Sequence, residues 1–267
     1  MPNTNYIESF SFETNKTHPF PFDIPAVKFA KNINVNNPVT IFIGDNGSGK
    51  STLLETIAMQ MRLPVIGGNI IADKSFEAAA QLQDYLKIKW INNIRQGFFF
   101  RAEDFSNFIY RIEKAQADID ESLAELKEVL NEHAFNMVAG KLNFQKYQMM
   151  KSYGENMHAF SHGEAFLKIF QSRINGKGVF ILDEPEAALS PIRQLSLISM
   201  VLETIKTFRS QFILATHSPI MMGIPGALLY EIKEDAIYQT AYEETEHYRI
   251  TKTFLDNRQQ FLRHLDT

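Results

Sequence analysis

The chain has 267 residues, 45% hydrophobic and 22% charged, with a formal net charge of −4 and no cysteine. These values fit one large α/β domain, or one domain with an insertion. They exclude a disulfide framework, a thiolate metal site and a cysteine nucleophile, and they give no support for nucleic-acid binding. No apolar run approaches the roughly 20 residues of a membrane helix. The start, Met1-Pro2-Asn3-Thr4-Asn5-Tyr6, lacks the basic and apolar regions of a secretory signal. The expectation is a cytoplasmic protein without membrane insertion.

Strand-like alternation from Tyr6 to Phe12 gives way to Pro19, Pro21 and Pro25, which break regular structure. Val39-Thr40-Ile41-Phe42-Ile43 reads as a short buried strand. A glycine-rich loop follows at once. From Ser51 to Met61 the spacing is helical, with Leu54, Ile57, Ala58 and Met61 on one face. Pro64, Gly67 and Gly68 end that unit.

The stretch 75–156 reads as a helical subdomain inserted into a single domain spanning 1–267. Within it, Phe98-Phe99-Phe100 is compatible with a short buried strand. From Ile109, the positions Ile112, Ile119, Leu123, Leu126 and Leu130 predict a helix of roughly 22 residues, about 33 Å long. Its simplest reading is an amphipathic helix of a small subdomain. A dimerising coiled coil is the alternative, against which Gln116 and the short run of heptads both count.

Val179-Phe180-Ile181-Leu182 is a buried strand ending in Asp183-Glu184, and Pro191 to Phe208 is helical. Gln211-Phe212-Ile213-Leu214-Ala215 is another strand, followed by Thr216-His217-Ser218-Pro219, and Leu228 to Ile232 reads as one more. Strands alternating with helices imply a mostly parallel sheet. Ligands bind such sheets beyond the carboxyl ends of the strands, where three chemical motifs fall.

The first motif is Gly44-Asp45-Asn46-Gly47-Ser48-Gly49-Lys50-Ser51-Thr52. It matches G-x-x-x-x-G-K-[ST] between a strand and a helix, the phosphate-binding P-loop. Its backbone N–H groups and the helix N-terminus attract phosphate. Lys50 is expected to reach the β- and γ-phosphates, and the Ser51 hydroxyl to bind Mg²⁺. The second motif is Asp183-Glu184. Asp183 fits the Mg²⁺-associated acid, and Glu184 the general base that orients an attacking water. The third is His217, placed to sense a γ-phosphate; the competing reading is a structural histidine. A fourth stretch is Phe160-Ser161-His162-Gly163-Glu164. Ser161 and Glu164 match a capping box, and a serine-capped helix start also binds phosphate. The residues alone leave both readings open.

The order of P-loop, helical insert, serine-glycine stretch, Asp-Glu and Thr-His-Ser resembles the ABC-type ATPases, within them the soluble SMC-like and DNA-repair branch. Phe99-Phe100-Arg101-Ala102-Glu103, Ser161-His162-Gly163-Glu164, Asp183 to Pro191, Ala215 to Pro219 and the tail Thr245-Glu246-His247-Tyr248 to Leu265 resemble small stand-alone bacterial ATPases of AAA-family or ABC-type description. The resemblance implies a P-loop NTPase fold with an ABC-type head, ATP and Mg²⁺ as cofactors, and hydrolysis of ATP. It also implies an ATP-dependent homodimer. Ser161 and Gly163 of one chain would cap the nucleotide on the P-loop of the other.

This sequence departs from the class in three places. His162 stands where the signature usually has glycine, and Ser190 where transporter subunits often have aspartate. No glutamine marks the Mg-linked loop, and Glu103 of Arg101-Ala102-Glu103 is the substitute. Phe20, Phe22 and Phe29 are candidates for stacking on adenine, and packing is the simpler reading for them. Action on a nucleic-acid or protein partner is the leading expectation. The alternatives are a nucleotide-dependent switch with little turnover and, ranked lower, the ATP-binding subunit of a transporter.

Overall fold

The computed structural model describes residues 5–13, 19–66, 76–153, 162–174 and 176–263. The chain opens with β1 (Ile7–Phe12), α1 (Pro25–Lys28), β2 (Ile33–Asn34), β3 (Val39–Gly44), α2 (Lys50–Met61), β4 (Val65–Ile66), α3 (Glu77–Leu82), β5 (Leu86–Trp90) and β6 (Gly97–Arg101). Three long helices follow, α4 (Ala102–Val129), α5 (Glu132–Tyr153) and α6 (His162–Arg173). The remainder is β7 (Val179–Asp183), α7 (Pro191–Phe208), β8 (Gln211–Ala215), α8 (Pro219–Met222), β9 (Leu228–Ile232), β10 (Ile237–Thr240), α9 (Glu246–Asp256) and α10 (Arg258–Leu262).

The main sheet has seven strands in the order β10-β9-β3-β8-β7-β6-β4. All its pairings are parallel except β10 on β9. A smaller antiparallel sheet has the order β2-β1-β5. This is the α/β P-loop fold, with a mostly parallel sheet, that the alternation of strands and helices predicts.

Side chains alternate across a strand, so a strand buried on both faces feeds two cores. Phe42, Phe99, Ile181 and Ile213 point to one core, shared with α2 and the small sheet. Ile41, Phe98, Phe100, Phe180 and Phe212 point to the other, against α4, α6 and α7. On that face Phe98, Phe180 and Phe212 lie side by side in register, with ring centroids 5.1 Å apart at each step. Aromatic pairs across strands add to sheet stability beyond the area they bury. Buried Gln211 opens β8 and ties the two sheets together. It accepts from the N–H groups of Tyr6 and Ile7 and donates to the carbonyls of Ile7 and Val35.

Of the stretch 75–156 expected to be a helical insert, β5 belongs to the small sheet and β6 to the main one. The helical projection is the hairpin of α4 and α5. Helix α4 has 28 residues and starts seven positions before Ile109. The extension is physical: Phe105 and Ile109 continue the apolar stripe and insert it into the second core. Ile112 and Ile119 are buried within the chain as α4 packs along α5. That arrangement matches the amphipathic-helix reading.

Candidate active site

The strand ends β3, β7 and β8 converge on one edge of the sheet, and each carries a motif from the sequence. The P-loop links β3 to α2. Gly49 caps α2 with φ of +92°, and a Cβ there would lie 2.9 Å from Ile24 Cδ1. Gly44 passes close to the backbone of β9, where a Cβ would come within 2.6 Å of the Ile232 carbonyl oxygen. Only glycine meets both demands. Asp45, Asn46 and Gly47 are exposed at the loop tip, while Ser48 is buried with a hydroxyl that has no partner among the described residues.

Lys50 is 4% exposed. Its Nζ donates to the carbonyls of Gly44 and Asp45, both at 2.9 Å, which stretches the side chain back across the loop. Burial lowers the pKa of this ammonium, while Glu184, Asp183 and Asp45 oppose that shift. An ammonium has three donors, so one more N–H remains for an anion in the cradle. Thr52 sits in the first turn of α2, where its carbonyl accepts from Thr56.

Asp183 ends β7 and is 3% exposed. Burial raises its carboxyl to about 7, although the Ser51 hydroxyl hydrogen-bonds it and Lys50 and Arg101 pull the other way. Its Oδ1 has no hydrogen-bond partner among the described residues. A buried carboxylate oxygen without a partner, next to a serine hydroxyl, suits a small hard cation. No group of three or more His, Asp or Glu side chains among the described residues could hold a metal by itself. Mg²⁺ takes one or two protein ligands and completes its shell with phosphate and water oxygens.

Glu184 follows with φ 48° and ψ 48°, a left-handed conformation that costs energy for a residue with a Cβ. Its N–H is held by the Ala215 carbonyl at 2.9 Å. This turn swings the carboxylate out of the strand and leaves it half-exposed. His217 leaves β8 nearby, its N–H bonded to Glu186 Oε1 at 2.7 Å. Its Nε2 lies 3.3 Å from Glu184 Oε1, without the alignment of a hydrogen bond.

Ser51, Arg101, Glu103, Asp183, Glu184 and Ala188 line a cleft of about 460 Å³. Arg101 is a residue that sequence reasoning underread. It ends β6 opposite Asp183 in register and is buried. It donates to both carboxylate oxygens of Asp104 and to Glu55, pairs with Glu103 at 2.9 Å, and lies over the Phe76 ring. Burial raises the Glu55 carboxyl to about 8, and Arg101 works against that shift. The available signal was an arginine closing an aromatic strand, followed at once by Glu103 and Asp104. Nothing local pointed to Glu55.

The fourth stretch is only partly described. Ser161 lies outside the described residues. Gly163 opens α6 so close to α7 that a Cβ would lie 2.8 Å from Arg193 Cδ, and Glu164 accepts from Arg193 at 2.8 Å. Gly163 and Glu164 do not line the cleft. Of the three aromatic candidates, Phe22 packs edge-on against Tyr85, Phe29 lies beneath the Lys28 ammonium, and Phe20 is 65% exposed.

A P-loop joined to an acidic strand end in this fold defines a nucleoside triphosphatase that works with Mg²⁺, and membership of an ATPase family makes the triphosphate ATP. The sequence profile of the family described as ABC transporter matches residues 32–187, more than half of the chain, and the chain belongs to that family. Similar proteins carry transporter names. One is an energy-coupling factor transporter ATP-binding protein, EcfA2, of Mycoplasma capricolum, 26% identical over 79% of this chain and 70% of that protein. Another is the EcfA2 of Spiroplasma kunkelii, 28% identical over 67% of this chain and 56% of that protein. Among solved structures, a metal-chelate type ABC transporter in an inward-facing conformation is similar at 16% identity, with a TM-score of 0.49, covering 92% of this chain and 88% of that one. No helix among the described residues is long and apolar enough to cross a membrane.

Proposed function

We propose that the chain is one half of a head-to-tail ATPase pair, hydrolysing ATP between the P-loop of one copy and the α6 start of another. The carrying observation is that Ser51, Asp183 and Glu184 line a cleft to which Gly163 and Glu164 of the same chain contribute nothing. In this reading Lys50 and the loop amides of Gly44 to Thr52 bind the β- and γ-phosphates. Ser51 and Asp183 hold Mg²⁺, which neutralises charge on the phosphates. Glu184 orients the attacking water and takes its proton, and His217 donates from Nε2 to the γ-phosphate. Ser161, Gly163 and Glu164 of the second copy complete the pocket. A two-fold axis relates the two sites.

A Glu184→Gln variant with Mg-ATP tests this directly. Light scattering is expected to show a dimer that wild type populates only transiently. A protein that stays monomeric across micromolar concentrations overturns the proposal.

The work driven by the cycle would pass through the α4–α5 hairpin. Helix α4 begins just after Arg101 and packs on the Pro185–Ala188 turn that follows Glu184. A second reading, the ATP-binding subunit of a transporter, is favoured by the names of the related proteins. The altered signature at His162 and the missing glutamine count against it. The helical insert between the P-loop and α6 supports instead the SMC-like branch, with a cytoplasmic nucleic-acid or protein partner. Co-purification with a membrane protein supports the transporter. Turnover stimulated by double-stranded DNA with a steep salt dependence supports the SMC-like branch.

A further inference from the structure

We propose that His247, on the C-terminal helix α9, is a positioning residue that holds the His217 imidazole in the tautomer that donates from Nε2 into the nucleotide site. This rests on the reading of His217 above. His247 Nε2 lies 3.2 Å from His217 Nδ1, and the two ring centroids are 5.3 Å apart. A hydrogen bond of that kind holds a single proton, so the two rings have complementary tautomers.

The surroundings choose between the two arrangements. If Nδ1 of a neutral His217 carried the proton, its Nε2 lone pair would lie beside the Glu184 carboxylate, 3.3 Å away though not aligned on it, and would meet any phosphate oxygen in the site. Lone pair against anion is repulsive. With the proton on His247 Nε2, His217 accepts at Nδ1 and presents Nε2–H to those oxygens. Burial, with Lys50 next, disfavours a second proton on His217, while Glu184 and Asp45 oppose that effect. A neutral ring therefore depends on its neighbour for the tautomer. The same logic lets a carboxylate orient a catalytic histidine elsewhere.

The fold holds His247 firmly. It lies in the first turn of α9, capped by fully buried Thr245, whose hydroxyl accepts from the Tyr248 N–H and donates to the Tyr242 carbonyl. The Tyr242 and Tyr248 rings pack with centroids 4.6 Å apart. The backbone of His217 is fixed separately, by Glu186. Only the ring orientation and its proton remain for His247 to set.

Turnover of Mg-ATP by the full chain tests the proposal in wild type, His247→Phe, His247→Gln, His217→Ala and the His217→Ala/His247→Phe pair. His247→Phe keeps a ring and removes the donor, so kcat is expected to fall on the order of 10-fold with KM little changed. His247→Gln offers an amide N–H to Nδ1 and is expected to recover most of kcat. Adding His247→Phe to His217→Ala is expected to cost nothing more. Wild-type kcat in His247→Phe, an equal loss in the His217→Ala background, or a Gln variant as impaired as Phe overturns the proposal. The imidazole ¹⁵N shifts of His217 in wild-type protein need no folded variant: Nε2–H is expected, and Nδ1–H overturns the proposal. Full turnover in His217→Ala overturns the underlying reading of His217 and this one with it. Impaired His217→Ala beside an unimpaired His247→Phe overturns this one alone.

Discussion

The strand ends of the main sheet and the α4–α5 hairpin are built to different rules. At the strand ends, polar groups are taken out of water and partly left without partners: Ser48 Oγ, Asp183 Oδ1 and His217 Nε2 among the described residues. In the hairpin, Tyr110, Met137, Val138, Phe144 and Tyr147 stay exposed. Unpaired buried polar atoms are costly, and several gathered at one set of strand ends mark a place that a ligand would complete. Exposed apolar side chains on a two-helix projection cost the isolated chain little. The first region is shaped around chemistry, and the second tolerates change.

Glu184→Gln is the strongest way to break that contrast. General-base catalysis contributes about 10²- to 10⁴-fold, so turnover is expected to fall by at least about 100-fold. A smaller loss in steady-state ATPase assays would remove Glu184 from the role of base. The left-handed backbone at Glu184 is kept by the variant, so its fold should be unchanged.

Phe180→Ala is the matching test of the sheet that carries the site. The ring sits between Phe98 and Phe212 and is buried. Such truncations cost about 3–5 kcal/mol, a fall on the order of 10 °C in melting midpoint for a chain of this size. Tyr147→Ser, on the hairpin, is expected to shift stability by no more than about 0.5 kcal/mol and to leave turnover of the isolated protein unchanged. If calorimetry gave the two variants similar losses, the hairpin would be as much a part of the cooperative unit as the sheet.

The strand ends were also the legible part of the sequence. Buried parallel strands are continuous apolar runs, and their chemistry follows at the next residue, so Val39–Gly44 with the P-loop, Val179–Asp183 with Glu184, and Gln211–Ala215 with His217 could be read locally. Helix α5 gave no comparable signal, because its polar and apolar residues are spread around the helix rather than gathered on one face. Pairings distant in sequence left no trace. Arg101 meets Glu55 across 46 positions and His217 meets His247 across 30. No local spacing rule connects such residues, and only the fold brings them together.

The smallest expected effect concerns the hairpin seam. Gln116 falls four residues after Ile112 and three before Ile119, on the stripe that packs against α5. Its Nε2 is buried with no hydrogen-bond partner among the described residues. An unsatisfied buried amide costs about 1–3 kcal/mol. Leucine exceeds glutamine by less than one methylene group, and the site is only half-buried, so the overpacking that offsets many core substitutions should be small. Gln116→Leu is therefore expected to stabilise the chain by about 1 kcal/mol, seen as a melting midpoint higher by about 2–4 °C. Turnover of the isolated protein should be unchanged, since the residue is outside the cleft lining. A loss of stability would give the amide a positive role, as single polar residues in helical seams can fix the register of the pairing at some cost in stability. In that case slowed hydrogen exchange in α4 should persist in wild type and be lost in the leucine variant, and the hairpin would count with the strand ends as a part of the molecule whose geometry is under constraint.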